Sequence, residues 1–185
     1  MPIKDGGVIM KYEEKTVKKE YLYRGKILTL RCDDALLPDG KPCKREIIEH
    51  SGGACALCVV DGKVAFVRQY RYAYGEEIYE IPAGKLNEGE DPMLAAKREL
   101  EEETGIRAKT LKHIVTLYPT PGYTNEKIFV YLALETEQST AKPDADEFLD
   151  VVWIPLDEVK GMLQRGELND SKTMVALQYY LLNFS

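Results

Sequence analysis

Acidic side chains are concentrated in one stretch of the chain, residues 80–106, which reads EIPAGKLNEGEDPMLAAKRELEEETGI. If the second half is helical, successive residues are about 100° apart, so Glu99, Glu102 and Glu103 share one side of the helix. Like charges spaced in this way destabilise a helix, and the two basic neighbours cannot neutralise them all. Carboxylates without histidine or cysteine among them suit a hard cation, Mg²⁺ or Mn²⁺. The stretch therefore predicts a divalent metal site rather than a zinc site.

Local signals indicate where this helix begins and ends. Asp91 can accept backbone N–H bonds as the N-cap, Pro92 suits the first helical position, and Gly105 suits a left-handed exit. These boundaries give about three and a half turns. We expect one stripe of the helix to pack inward, formed by Met93, Ala96 and Leu100.

An acidic helix face is often no more than a solvated surface, so the spacing of the residues has to decide. The chain fills the pattern G-x5-E-x7-R-E-U-x-E-E-x-G-U, in which U is a bulky aliphatic residue, with Gly84, Glu90, Arg98, Glu99, Leu100, Glu102, Glu103, Gly105 and Ile106. A chance match is on the order of 10⁻¹⁰ to 10⁻⁹ per starting position. The chain therefore resembles the Nudix hydrolases, without a mismatch in their signature.

The resemblance implies an α/β/α sandwich with a mixed sheet, and a metal-dependent attack of water on a diphosphate. Glu99 and Glu103 would be the chief metal ligands. Glu102 would bind a further metal or hold metal-bound water, and the carbonyl of Ala83 would complete the shell. Glu102 and Glu103 therefore also count as catalytic. Bound cations would neutralise the phosphate oxygens and acidify water.

Four other residues of the signature are expected to be structural. Gly84 would let the loop turn sharply so that the preceding carbonyl points inward. An ion pair between Glu90 and Arg98 would pin this loop to the helix. Gly105 would end the helix.

Further segments resemble the ADP-ribose pyrophosphatase branch of the family: EIPAG, QYR, YPTPG and KRE. Pro121 lies about where that branch has a proline, and Glu126 follows it. The guanidinium of Arg71 would contact phosphate or the terminal ribose. Arg45 and Glu46 would flank the adenine, as a cation–π partner and as a hydrogen-bond acceptor.

Plainer readings of these substrate residues stay open. The arginine of QYR could be a solvated strand end, the Arg-Glu pair could be outward-facing charges, and the Pro-Gly of YPTPG could be only a turn. Tyr23 could stack on the base, although a tyrosine there is more often part of a core.

The general base is expected outside the metal helix, in a late acidic loop formed by residues 144–147. We select Glu147. Asp146 and Glu126 are the competing candidates, and a solvated acidic turn is the plain alternative.

Residues 1–12 are predicted to be a loose tail, residues 13–50 an N-terminal β segment, and residues 51–185 the Nudix hydrolase domain. No helix interrupts the β segment, and three strands bury little alone, so it should pack on the main domain or on a second subunit. The family resemblance implies a homodimer with exchanged N-terminal strands that complete the partner's adenine site.

Composition restricts the class of protein. With 185 residues, 44% of them hydrophobic, the chain can form an ordinary domain core. The net charge of −6 does not indicate a nucleic-acid or membrane partner. No apolar run approaches a membrane span, and the charged first residues lack the apolar core of a signal peptide, so the cytoplasm is the expected location.

Cys55 and Cys58 form a C-x-x-C pair, with Cys32 and Cys43 upstream. A zinc site or a redox pair is conceivable. The run ACALCVV reads as a strand, however, and residues three apart on a strand face opposite sides. We therefore expect buried, reduced thiols.

The sequence as a whole predicts Mg²⁺-dependent hydrolysis of ADP-ribose to AMP and ribose 5-phosphate, with Mn²⁺ as a possible substitute. One alternative is a pyrophosphatase for another nucleotide sugar, such as GDP-mannose or UDP-glucose. A second is a non-catalytic sensor of ADP-ribose, against which the complete metal signature argues.

Overall fold

The computed structural model describes residues 12–142 and 148–184, which form two compact units. The first unit contains the residues up to His50 together with Thr120–Asn125, and the second contains Ser51–Pro119 and Glu126–Ser185. The sequence did not predict that residues 120–125 belong to the first unit. The predicted tail lies outside the described residues, except for Tyr12.

The first unit is an antiparallel sheet in which β3 pairs with the three other strands. Its strands are β1 (Lys15–Lys18), β2 (Tyr21–Arg24), β3 (Leu28–Leu36) and β4 (Pro42–His50). The Thr120–Asn125 segment joins β4 through backbone bonds of Ile48, whose N–H donates to the carbonyl of Tyr123 at 2.7 Å. Every residue of β1 and β2 is exposed, so these two strands bury little. The sequence predicted three strands in this segment, but the first of them is divided into β1 and β2.

The second unit contains two sheets. The first has the order β10-β11-β5-β9, in which β11 and β5 are parallel and the other pairs antiparallel. Its strands are β5 (Gly53–Leu57), β9 (Ala83–Lys85), β10 (Ile106–Leu117) and β11 (Ile128–Gln138). In the second sheet β7 pairs antiparallel with β12, β6 and β8. Its strands are β6 (Val59–Val60), β7 (Lys63–Arg71), β8 (Glu76–Glu80) and β12 (Leu149–Pro155).

In the described part of the chain, three helices cover these sheets: α1 (Pro92–Thr104), α2 (Leu156–Arg165) and α3 (Ser171–Phe184). Residues of α1 enter one hydrophobic cluster, whereas residues of α2 and α3 enter a second. Strand β5 supplies both, with Ala54 and Ala56 in the first cluster and Cys55 and Leu57 in the second, because strand side chains alternate between faces. The predicted α/β/α sandwich with a mixed sheet is therefore confirmed. Within the described ranges, no helix is long and apolar enough to cross a membrane.

The paired cysteines are core residues. Cys55 and Cys58 are buried free thiols that belong to opposite clusters, as the strand pattern predicted. Burial raises the pKa of Cys55 to about 12 and that of Cys58 to about 11. A thiol reacts and binds metal as its thiolate, so burial makes both groups inert.

Two local predictions were wrong. Met93 was predicted to pack inward but is 38% exposed. The buried face of α1 lies closer to Glu99 and Glu103, so it includes Ala95 instead of Met93. The segment after Pro82, expected as a loop, forms the short strand β9 against β5. Both errors concern the contact between α1 and the sheet.

Leu100 provides a test of this packing, since it is fully buried in the α1 cluster. We expect Leu100→Ala to lower the free energy of unfolding by about 3 kcal/mol, because the substitution leaves a cavity. Urea unfolding followed by circular dichroism measures the loss. Leu94→Ala on the exposed side of the same helix should change the free energy by less than about 0.5 kcal/mol. Equal losses for the two variants would contradict the packing described.

Candidate active site

The ends of α1 are determined by their immediate neighbours in sequence. Asp91 Oδ1 accepts from the backbone N–H of Met93 at 2.9 Å and of Leu94 at 3.1 Å. At the other end Gly105 has φ 70° and donates its N–H to the carbonyl of Glu101 at 2.9 Å. A Cβ at Gly105 would also lie 2.9 Å from the nitrogen of Ala141, so both conformation and space require glycine. The helix boundaries are those predicted.

The three glutamates of α1 have different environments. Glu99 and Glu103 are only 7% and 3% exposed, whereas 37% of the Glu102 side chain is exposed. A buried carboxylate requires charge or hydrogen-bond partners. Glu103 Oε2 accepts from the N–H of Ala83 at 3.0 Å, which ties the helix to the segment that carries the predicted carbonyl ligand.

Arg98 is the main charge partner of this cluster. Its Nη1 donates to Glu99 Oε1 at 2.7 Å and to Glu102 Oε2 at 2.9 Å. Its Nε and Nη2 donate to the two oxygens of Glu90 at 3.0 and 3.2 Å. The hydrogen bond from Arg98, with one from the backbone of Asn87, lowers the pKa of Glu90. The guanidinium therefore connects the loop to the helix and also compensates two of the carboxylates predicted to bind metal.

Gly84 is required for space rather than for a turn. It lies within β9 opposite Ala54, and its φ is not among the positive values found at other glycines. A Cβ built on Gly84 would lie 1.9 Å from Glu99 Oε1 and 2.0 Å from Glu99 Cδ. The predicted sharp turn was wrong: the missing side chain makes room for the carboxylate of Glu99.

The donor set fits a hard divalent cation. The side chains concerned are carboxylates: Glu99 occupies the space beside Gly84, and Glu103 is held by the N–H of Ala83. Within residues 12–142 and 148–184, no three acidic, histidine or cysteine side chains form a ready-made metal cluster. Arg98 contacts two of the three glutamates, so a cation would have to replace this arginine as their partner.

Arg71 lies at the end of β7 and is paired with Glu80. Its Nε donates to Glu80 Oε1, and its Nη2 donates to Glu80 Oε2 at 2.8 Å. The hydrogen bond to Glu80 raises the pKa of Arg71, and the charges of Asp170 and Glu103 contribute to the same shift. The structure therefore brings Arg71 into the electrostatic field of the α1 carboxylates.

Glu80 and its second partner Lys172 were missed as functional candidates. Both are buried although they are charged, at 3% and 8% exposure. The available signal was a charged residue interrupting an apolar stretch, Glu80 in EIYEI and Lys172 at the start of α3. Their contact joins residues 92 positions apart, which no local pattern reveals.

The predicted adenine contacts lie on β4. Arg45 donates from Nε and Nη2 to the two carboxylate oxygens of Glu14, at 2.7 and 2.5 Å. Glu46 is exposed, and as the next residue on the strand it faces the opposite side of the sheet. One face of β4 does not carry both side chains, and their binding of a base stays a prediction.

The other predicted residues occupy separate places. Pro121 is exposed in a turn of the first unit, and Glu126 is half-buried in the second, just before β11. Tyr23 is exposed on β2. Glu147 and its competitor Asp146 lie outside the described residues.

Known family models and relatives match nearly the whole chain. Residues 49–177 match the NUDIX domain model, and residues 14–48 match the nucleoside diphosphate sugar hydrolase N-terminal domain. The chain is similar to the ADP-ribose pyrophosphatase of Bacillus subtilis (strain 168), with 43% identity over 173 residues, covering 92% of this chain and 94% of that protein. It is 40% identical over 174 residues to the methanol dehydrogenase activator of Bacillus methanolicus, with the same coverage.

The fold also has a solved counterpart. The crystal structure of an ADP compounds hydrolase superposes with a TM-score of 0.81 at 22% identity, over 92% of this chain and 93% of that one. The Nudix model spans more than half of the chain, and the relatives match it over nearly their whole length. This protein therefore belongs to the Nudix family.

Proposed function

We propose that this protein hydrolyses the diphosphate bond of ADP-ribose to give AMP and ribose 5-phosphate. The observation that carries the proposal is the 43% identity to an ADP-ribose pyrophosphatase, which extends over 92% of the chain and so includes the N-terminal segment as well as the metal helix. The paired carboxylates of α1 and the space beside Gly84 supply the chemical basis.

Mg²⁺ is the proposed cofactor, with Mn²⁺ as a substitute. Glu99 and Glu103 would hold it, with Glu102 and the carbonyl of Ala83 as further ligands. When bound, the cation supplies charge neutralisation at the phosphate oxygens and acidification of water. Arg98 would then lose Glu99 and Glu102 as partners and keep its two hydrogen bonds to Glu90, so the loop stays attached to the helix.

The remaining roles belong to residues outside α1. Arg71 would donate hydrogen bonds to a phosphate or to the terminal ribose, since a guanidinium fork suits anionic oxygen. Glu147 would take the proton from the attacking water. Glu126 and Pro121 would contact the substrate, and the support for these last three assignments is their place in the sequence.

Arg45 and Glu46 are proposed to recognise adenine in a homodimer with exchanged N-terminal strands. The exposed apolar side chains of β1 and β2 support an interface there, since single subunits seldom expose such a set: Val17, Tyr21, Leu22 and Tyr23. Arg45 would have to leave Glu14 to stack on a base.

A second candidate substrate is another nucleotide sugar, such as GDP-mannose or UDP-glucose. The match of residues 14–48 to the nucleoside diphosphate sugar hydrolase N-terminal domain supports this broader class. A guanine would present a carbonyl where adenine presents an amine, so the carboxylate of Glu46 would disfavour it.

The substrate can be tested directly. The protein is incubated with Mg²⁺ and a panel of ADP-ribose, GDP-mannose, UDP-glucose and NADH, and the products are measured by mass spectrometry. We expect AMP release from ADP-ribose to be the fastest reaction. Glu103→Gln should lower the rate at least about a hundredfold, because a buried metal ligand loses its charge. A tenfold preference for another nucleotide sugar would overturn the choice of substrate. Binding of ADP-ribose without turnover would indicate a sensor.

The role of Gly84 can be tested with the metal alone. Gly84→Ala should weaken Mn²⁺ binding at least about tenfold, measured by the electron paramagnetic resonance signal of free Mn²⁺, because the new methyl group displaces the Glu99 carboxylate. Gly161→Ala on α2 is the matched control: its Cβ would meet only the flexible end of Arg165. Unchanged Mn²⁺ affinity in Gly84→Ala would exclude Glu99 as a ligand.

The proposed dimer can be tested on β2. Light scattering should give twice the chain mass of 21.0 kDa for the natural protein. Leu22→Glu should give a monomer with little activity, because a charge replaces an apolar contact in the interface. Leu182→Glu, at a leucine on α3 that is even more exposed than Leu22, should remain dimeric. A fully active Leu22→Glu monomer would contradict the proposal.

A further inference from the structure

A network of four charged side chains connects the start of α3 to the end of β7. Lys172 Nζ donates to Glu80 Oε2, and also to Asp170 Oδ1 at 2.9 Å. Glu80 in turn accepts hydrogen bonds from both Nε and Nη2 of Arg71. We call these residues, Arg71, Glu80, Asp170 and Lys172, the α3 network. It holds two cations and two anions in alternation.

The α3 network is unusual because its inner members are removed from water. Only 10% of the Lys172 side chain and 4% of the Glu80 side chain are exposed, whereas lysine and glutamate are normally at the surface. Burial opposes ionisation of Glu80, but the hydrogen bond from Arg71 and the charge of Lys172 lower its pKa. Burial acts similarly against Lys172, and the charges of Asp170 and Glu80 raise its pKa. Each inner group stays charged because of the others.

A buried ion network is weak evidence for stability, because an apolar replacement is often as stable. Geometry offers a better reason for this one. Glu80 holds the Nε and Nη2 edge of Arg71, and within the described part of the chain this guanidinium donates to no other residue. The remaining nitrogen, Nη1, is therefore oriented by Glu80, and Lys172 donates to Oε2 of the same carboxylate.

A second contact from α3 reaches the same segment but by a different route. Thr173 Oγ1 accepts from the N–H of Ile81 at 2.9 Å and donates to Asp170 Oδ2 at 2.6 Å. This bond fixes the backbone that leads to Ala83. Lys172 thus contacts Glu80, the carboxylate that holds Arg71, whereas Thr173 contacts the backbone of Ile81.

We infer that Lys172 is a positioning residue for the substrate: it fixes Glu80, which orients Arg71 toward a phosphate or ribose oxygen of the nucleoside diphosphate. The inference rests on the proposed function. If Lys172 acts through Arg71, removal of Lys172 should have little further effect once Arg71 is gone. A lysine that only stabilises the fold would lower activity by the same factor in either background.

The test is a double-mutant cycle on kcat and KM for ADP-ribose with Mg²⁺. Lys172→Met should lower kcat/KM about tenfold, mainly through KM, and Arg71→Ala should lower it at least as much. The combined variant should match Arg71→Ala within about twofold. Lys160→Met, the same substitution at a half-exposed lysine of α2, should leave both constants unchanged.

Loss of Lys172 alone leaves an extra buried anion and could prevent folding. The cycle is therefore repeated with Lys172→Met/Asp170→Asn, which removes one charge of each sign and retains an amide oxygen that can cap α3. This double substitution should also lower kcat/KM in the natural protein. It should have little further effect when it is combined with Arg71→Ala.

The possible failures are distinguishable. If the natural protein does not turn over ADP-ribose, the proposed function fails and the inference fails with it. If the natural protein is active and the effects of the Lys172 and Arg71 substitutions multiply, the inference alone is overturned. An active Lys172→Met with unchanged KM and kcat would also overturn it.

Discussion

The close approach of the Glu99 carboxylate to the backbone of Gly84 is the constraint on which the proposed metal site depends. The carboxylate occupies space that any side chain at residue 84 would need. Glu99 reaches this place because α1 begins at Asp91 and ends at Gly105, and because its apolar residues pack against the sheet. Two residues of the Nudix signature, Gly84 and Glu99, are therefore joined by a packing contact.

Arg98 shows how the chain tolerates this concentration of negative charge. One guanidinium contacts Glu90, Glu99 and Glu102, so carboxylates that repel one another have a shared cation within the protein. Such a partner keeps the carboxylates compensated, since a buried charge without a partner is costly. The bidentate contact with Glu90 does not involve Glu99 or Glu102, so the loop and helix would remain joined if a cation competed for those two glutamates.

The second unit holds the segment from Glu80 to Ala83 from two sides. Glu103 of α1 accepts from Ala83, and α3 contacts Glu80 and Ile81 through Lys172 and Thr173. A short segment with so many anchors is a suitable place for groups that must meet a substrate with little freedom. The first unit differs, since its outer strands expose apolar side chains and its arginine on β4 is paired with Glu14.

Much of this protein could be predicted from its sequence. The limits of α1, the order of most strands and helices and the opposite faces of Cys55 and Cys58 follow from caps, turns and alternation, which act between near neighbours in the chain. The sandwich was implied by the family resemblance. Tertiary structure alone decided the contacts between distant residues. It buried Glu99 and Glu103 but left Met93 exposed, gave Gly84 a spatial role and joined Glu80 to Lys172 across 92 positions. Such contacts depend on how elements pack, and no local pattern encodes that packing.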